Sequence, residues 1–127
     1  MTDLARLADT PRRIQRQRTK GWKMPAGAMY VGRSTNWGNR WRVGIDGTAA
    51  ECVEKYRTML ANNIWTEPNR RSIQRELCGH HLVCWCPLIS HGRYIPCHGD
   101  VLLSIANNIP MDEVIRENTR WAKGETL

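Results

Sequence analysis

The stretch that decides the fold is His81-Leu82-Val83-Cys84-Trp85-Cys86-Pro87, followed after nine residues (88–96) by Cys97-His98-Gly99-Asp100-Val101-Leu102. The first part is a short apolar run stopped by proline, which predicts a buried strand over His81–Cys86. The second predicts a helix that opens at Cys97 or His98 and runs through Asn107, with Val101, Leu102, Ile105 and Ala106 inward. A strand that feeds a loop and then a helix is the element of an α/β domain.

Elements to either side fit the same class. Arg12–Thr19 suits a polar edge strand, and Ala28–Gly32 a short buried one. Thr48–Asn62 is the clearest helix: Thr48 and Glu51 make a capping box, and Cys52, Val53, Tyr56, Met59 and Leu60 fall on one face. Cys52 therefore reads as core. A second helix opens at Pro68 or Asn69, runs to Leu77 and is closed by Gly79, and a terminal helix runs from Pro110 to about Lys123. The expectation is a single small α/β domain over residues 11–127, a few-stranded sheet with packed helices, preceded by an arm over residues 1–10. A length of 127 residues suits one domain with a modest core.

The same stretch concentrates soft ligands. In a strand, Cys84 and Cys86 point to one face and Trp85 to the other. Cys97 at a helix start meets free N–H groups and the helix dipole, which favour the thiolate. Two chemistries follow. Cys84, Cys86 and Cys97, with His98 or another of His80, His81 and His91, hold Zn²⁺. Alternatively, Cys97 is a nucleophile with His98 and Asp100 as acid/base partners. The Cys-x-Cys spacing is tighter than the usual zinc knuckle, and adjacent Cys97 and His98 fit one ion poorly. A purely structural role, with Cys84 and Cys86 packed as small hydrophobes, stays open beside both.

A second segment, Arg33-Ser34-Thr35-Asn36-Trp37-Gly38-Asn39-Arg40-Trp41, follows a buried strand directly. Loops in that position commonly bind ligands. Arg33 suits a phosphate, Asn39 a base edge, Gly38 a close backbone approach, and Trp37 or Trp41 a stacked base. The surrounding charge agrees. The net charge is +7, yet residues 10–45 hold nine Lys/Arg, Arg12 and Arg13 among them, and no Asp or Glu. Such a block attracts phosphates. Five cysteines without an apolar leader or a run of roughly 20 apolar residues suggest a cytoplasmic protein rather than a membrane one.

Taken together, Pro11-Arg12-Arg13-Ile14, Tyr30-Val31-Gly32-Arg33, Trp37-Gly38-Asn39, Cys84-Trp85-Cys86-Pro87-Leu88 and Cys97-His98-x-Asp100-Val101-Leu102 resemble the uncharacterised phage and bacterial family known as domain of unknown function 4326. The resemblance covers roughly residues 11–108. It departs at Arg40, where the family usually has proline, and in a longer loop around Ser90–Tyr94. It implies a shared fold and site, and a phage-like setting in which the cytoplasm is that of the host.

The resulting expectation is one composite site, built by the Arg33–Trp41 loop and the Cys84–Asp100 corner, that binds or processes a nucleotide or nucleic-acid component. The competing readings are a non-catalytic nucleotide- or nucleic-acid-binding protein with a structural zinc, and a host-protein interaction module.

Overall fold

The computed structural model describes residues 10–62 and 68–124. Three short parallel strands form the central sheet: β1 (Arg13–Gln15), β2 (Met29–Tyr30) and β3 (Leu82–Cys84), in the order β1-β3-β2. Ile14 pairs with Val83, and Tyr30 pairs with Val83 from the other side. β3 is the centre because its three residues are apolar on both faces, and Leu82, Val83 and Cys84 are all buried. β1 is an edge strand, as its polarity predicts.

Among the described residues there are four helices: α1 (Ala49–Ala61), α2 (Arg70–Leu77), α3 (His98–Asn107), which packs on the sheet, and α4 (Met111–Ala122), with α1, α2 and α4 packed against α3. The α/β class is as expected, and so is most of the element order. The Thr48 hydroxyl accepts from the Glu51 amide while the Glu51 carboxylate accepts from the Thr48 amide, which completes the predicted capping box. Cys52 is buried on the core face of α1. Asn69 caps α2 through Ser72, and Pro110 precedes α4. The N-terminal arm lies, apart from Thr10, outside the described residues.

The sequence understates two features. The helix α3 is buried almost all round: besides the expected Val101, Leu102, Ile105 and Ala106, it buries Leu103, and at its first turn His98, Gly99 and Asp100. It is the central helix of the domain, and its polar N-terminus is locked inside. The loop between Cys86 and Cys97 also holds a hairpin, β4 (Ile89–Ser90) paired antiparallel with β5 (Arg93–Tyr94). Its turn places His91 and Gly92 at φ 52° and 76°. Two successive left-handed residues are what a two-residue hairpin turn needs, and Asn-Gly or Asp-Gly is its usual signature. His91 in the first position disguises it.

Candidate ligand and thiol site

β2 and β3 end beside each other, and their chains continue as Val31-Gly32-Arg33 and Trp85-Cys86-Pro87. Beyond these carboxyl ends opens a cavity of about 430 Å³, within the rough 300–1,000 Å³ range of small-molecule sites. Gly32, Arg33, Asn39 and Trp41 line it, as do Cys84, Trp85, Cys86 and Cys97. Ala49 and Val53 of α1, and His98 at the start of α3, also face it. Ligands of parallel α/β sheets occupy this position. The Arg33–Trp41 loop and the cysteine corner, far apart in sequence, thus meet at one cavity.

The thiols form the cavity's chemical centre. The sulfurs of Cys84, Cys86 and Cys97 all lie within 4.8 Å of one another, close enough to hold a metal ion. Cys84 Sγ is 3.5 Å from Cys97 Sγ. Cys86 gets there differently from expectation. β3 stops at Cys84, so Cys86 sits in the bend that follows and its sulfur is brought back by the turn rather than by strand alternation.

Cys97 is the N-cap of α3. Its sulfur accepts from the Gly99 amide at 3.2 Å, and its own amide donates to Asp100 Oδ2 at 2.9 Å. Burial works against a charged sulfur here, but bonds from Cys84 and Cys86 and the nearby Arg13 charge outweigh it and hold Cys97 well below the ordinary cysteine value. Bonding to Cys84 and Cys97, together with burial, pushes the Cys86 thiol up. Among the three sulfurs, the surroundings favour the thiolate at Cys97 and the thiol at Cys84 and Cys86. Such a cluster offers either a nucleophile or, on losing two more protons, a soft metal site.

Arg13 supplies the positive charge, and unlike its exposed and half-buried neighbours in the basic block it lies inside the protein. It is 2% exposed. Its guanidinium donates to Cys97 Sγ at 2.9 Å, to the Ile95 carbonyl at 2.6 Å, to the Pro87 carbonyl at 3.2 Å and to the Tyr94 hydroxyl at 3.0 Å. It also pairs with Asp100 at 3.5 Å. Burial alone would lower its pKa, but the sulfur, the phenol and the carboxylate around it keep it firmly protonated. Arg13 ties the edge strand, the hairpin and the start of α3 into one unit, with the thiols inside it.

Asp100 belongs to the same unit. Its oxygens take the Tyr94 hydroxyl at 2.6 Å and the Cys97 amide, and it faces Arg13. Burial pushes its carboxyl up, while Arg13 and these two donors pull it back. His98 stands apart from the thiols. Its Nε2–H donates to the Val31 carbonyl at 2.7 Å and its ring meets Tyr56 edge-on, so it is not grouped with them as a fourth ligand. Burial holds its pKa down, so the ring is neutral. The other histidines are engaged elsewhere: His80 with the Gly27 carbonyl, His81 with the Arg12 amide and His91 with the Ser90 hydroxyl.

Other predicted ligand residues divide. Arg33 is exposed and lines the cavity, where it is the only Lys, Arg, Asp or Glu among the described lining residues. Asn39 also lines it, but its amide is spent inside the protein: it donates to the Cys52 carbonyl at 3.1 Å and accepts from the Trp41 amide at 3.0 Å. Trp37 does not face the cavity. It is 8% exposed within the core, and its carbonyl takes the Tyr56 hydroxyl at 2.7 Å. Arg12 stacks 3.8 Å from the Trp121 ring centroid and does not line the cavity either.

The aromatic residues that line the cavity are instead Trp41, Trp85 and Tyr30. Trp85, 40% exposed, carries Arg16 and Arg18 at 5.0 and 4.5 Å from its ring centroid, and Arg16 also sits 4.9 Å from that of Tyr30. These stacked cations went unnoticed in the sequence, although the alternation of arginines along the chain after β1 carries the signal.

Gly38 meets its own chain rather than a ligand. A Cβ there would lie 2.6 Å from Arg33 Cα and 2.8 Å from the Gly32 carbonyl oxygen. Those are backbone atoms that cannot swing away. Gly38→Ala is therefore expected to cost about 1–3 kcal/mol in chemical unfolding and to pull Arg33 away from the cavity. Unchanged stability would show that the loop has slack.

Residues 14–108 match the family described as domain of unknown function DUF4326. The chain belongs to that family. Both cavity-lining segments fall inside the matched region. No curated protein and no solved structure matches the chain. Among the described residues, no helix is long and apolar enough to cross a membrane.

Proposed function

We propose that this domain binds, and acts on, a nucleotide or a nucleic-acid component in the cavity, with Zn²⁺ held by Cys84, Cys86 and Cys97. The observation that carries the reading is the convergence of Arg33, Trp41, Trp85 and the three thiols on one cavity at the carboxyl ends of parallel strands. Among the described residues the lining is mainly apolar and aromatic, with one fixed positive charge. That chemistry suits a flat ring that carries an anionic group: the ring against Trp41 or Trp85, the anion on Arg33. Arg16 and Arg18, stacked on Trp85 at the rim, extend the positive field outward and would receive further phosphates. Thiolate sulfur favours zinc over the hard cations that prefer oxygen, and the donor set fits.

The reading is tested by calorimetry with the four ribonucleoside monophosphates and a short single-stranded oligonucleotide. Binding by at least one of them, weakened by salt, is expected. Arg33→Ala should lower affinity by about 10-fold or more, the loss of one charge-assisted hydrogen bond, with folding unchanged because the side chain is exposed. No binding by any of these probes at low ionic strength would overturn the reading.

A further inference from the structure

We propose that the metal centre keeps one coordination position open to the cavity, and that the cavity ligand fills it with a nitrogen or sulfur donor of its own. This rests on the zinc reading above. Three observations support it.

The first is geometry. A tetrahedral zinc with bonds of about 2.3 Å sets its sulfurs about 3.8 Å apart, and the three thiols already lie within 4.8 Å of one another, with Cys84 and Cys97 at 3.5 Å. All three also line the cavity. An ion seated on them has its remaining face toward that space.

The second is the count of available ligands. The chain has five cysteines and four histidines, and all of them are among the described residues. Cys52 Sγ is directed to the Gly47 carbonyl at 3.9 Å, and Cys78 is exposed beyond the end of α2. His98 gives its Nε2–H to Val31, the remaining histidines are engaged elsewhere, and Asp100 is held by Arg13 and Tyr94. Structural zinc sites close with four protein ligands, whereas sites that meet a substrate keep three and leave one position free.

The third concerns what the free position takes. Among the described residues no Asp or Glu lines the cavity, so the carboxylate that usually serves a metal-bound water as acid and base has no counterpart among them. Three thiolates around a dication leave a net negative charge, which makes the ion a weak activator of water and a good acceptor of softer donors. Arg13, 2.9 Å from Cys97 Sγ, offsets that charge from behind the cluster, as outer partners of metal ligands do. A ring nitrogen of a nucleobase, or a thiol, is the donor class that fits.

The test uses the full chain loaded with Co²⁺ in place of zinc. One equivalent is expected to give the thiolate-to-cobalt charge-transfer absorption and the visible bands of a tetrahedral ion. Imidazole, and separately 2-mercaptoethanol, should then shift the visible bands in a saturable way. Cobalt that binds with the thiolate absorption but gives bands unmoved by either probe would overturn the open position and leave the metal reading standing. Absence of the thiolate absorption would remove the metal reading and this proposal with it. Cys86→Ser, which alters a half-buried residue outside the strand, should sharply reduce the charge-transfer absorption. An undiminished band would place the metal elsewhere and overturn the proposal.

Discussion

Arg13→Ala is expected to cost about 3–5 kcal/mol of folding stability, the range for removing one partner of a buried ion pair. A domain of this size holds roughly 5–15 kcal/mol in total, so the variant should unfold at much lower urea concentration or fail to accumulate. The loss does not come from charge alone. Without the guanidinium, the buried Asp100 carboxylate faces no cation, and the Ile95 and Pro87 carbonyls and the Cys97 sulfur each lose a donor. Arg13→Lys restores a charge but cannot place donors on Tyr94, Cys97 and Ile95 at once, so it should recover only part of the loss. Urea titrations of both variants check this. A loss under about 1 kcal/mol for the alanine variant, the size of an exposed pair, would contradict the role given to Arg13.

The second large effect is on metal uptake. Cys97→Ser should weaken Zn²⁺ binding by at least about 100-fold, beyond the roughly 10–100-fold that losing an outer partner costs. Folding should change far less. Serine is among the best N-cap residues, so its hydroxyl can take over the Gly99 amide, and the stability change is expected to stay within about 2 kcal/mol. Competition against a chromophoric chelator measures the first quantity and thermal unfolding the second. Equal zinc affinity in both proteins would remove Cys97 from the metal set.

Local signals were the legible part of this molecule. The Thr48/Glu51 box and the cysteine that starts α3 each act within a few residues, and both helices begin where those signals point, whereas β3 ends at Cys84, short of the bend that leads to Pro87. The meeting of the Arg33 loop with the cysteine corner was legible only as a juxtaposition of two motifs. The role of Arg13 was not legible. Its partners Tyr94, Ile95, Cys97 and Asp100 lie more than eighty positions away, and in sequence it is one of nine positive residues in a basic run. Nothing local separates the buried arginine from the solvated ones. Trp37 misled for a related reason: a tryptophan in a glycine- and asparagine-rich loop looks like a stacking surface until its burial is known. The hairpin was hidden by His91, which stands where asparagine or aspartate would announce the turn.

One sulfur atom is both the cap of the central helix and a member of the thiol cluster. Its position is therefore answerable to two demands of unequal strictness. Selection for a folded chain alone would tolerate serine, threonine, asparagine or aspartate there, since each caps a helix at least as well. Selection for the chemistry would tolerate cysteine only. On the metal reading proposed above, a drift at residue 97 would leave an intact scaffold with an idle centre.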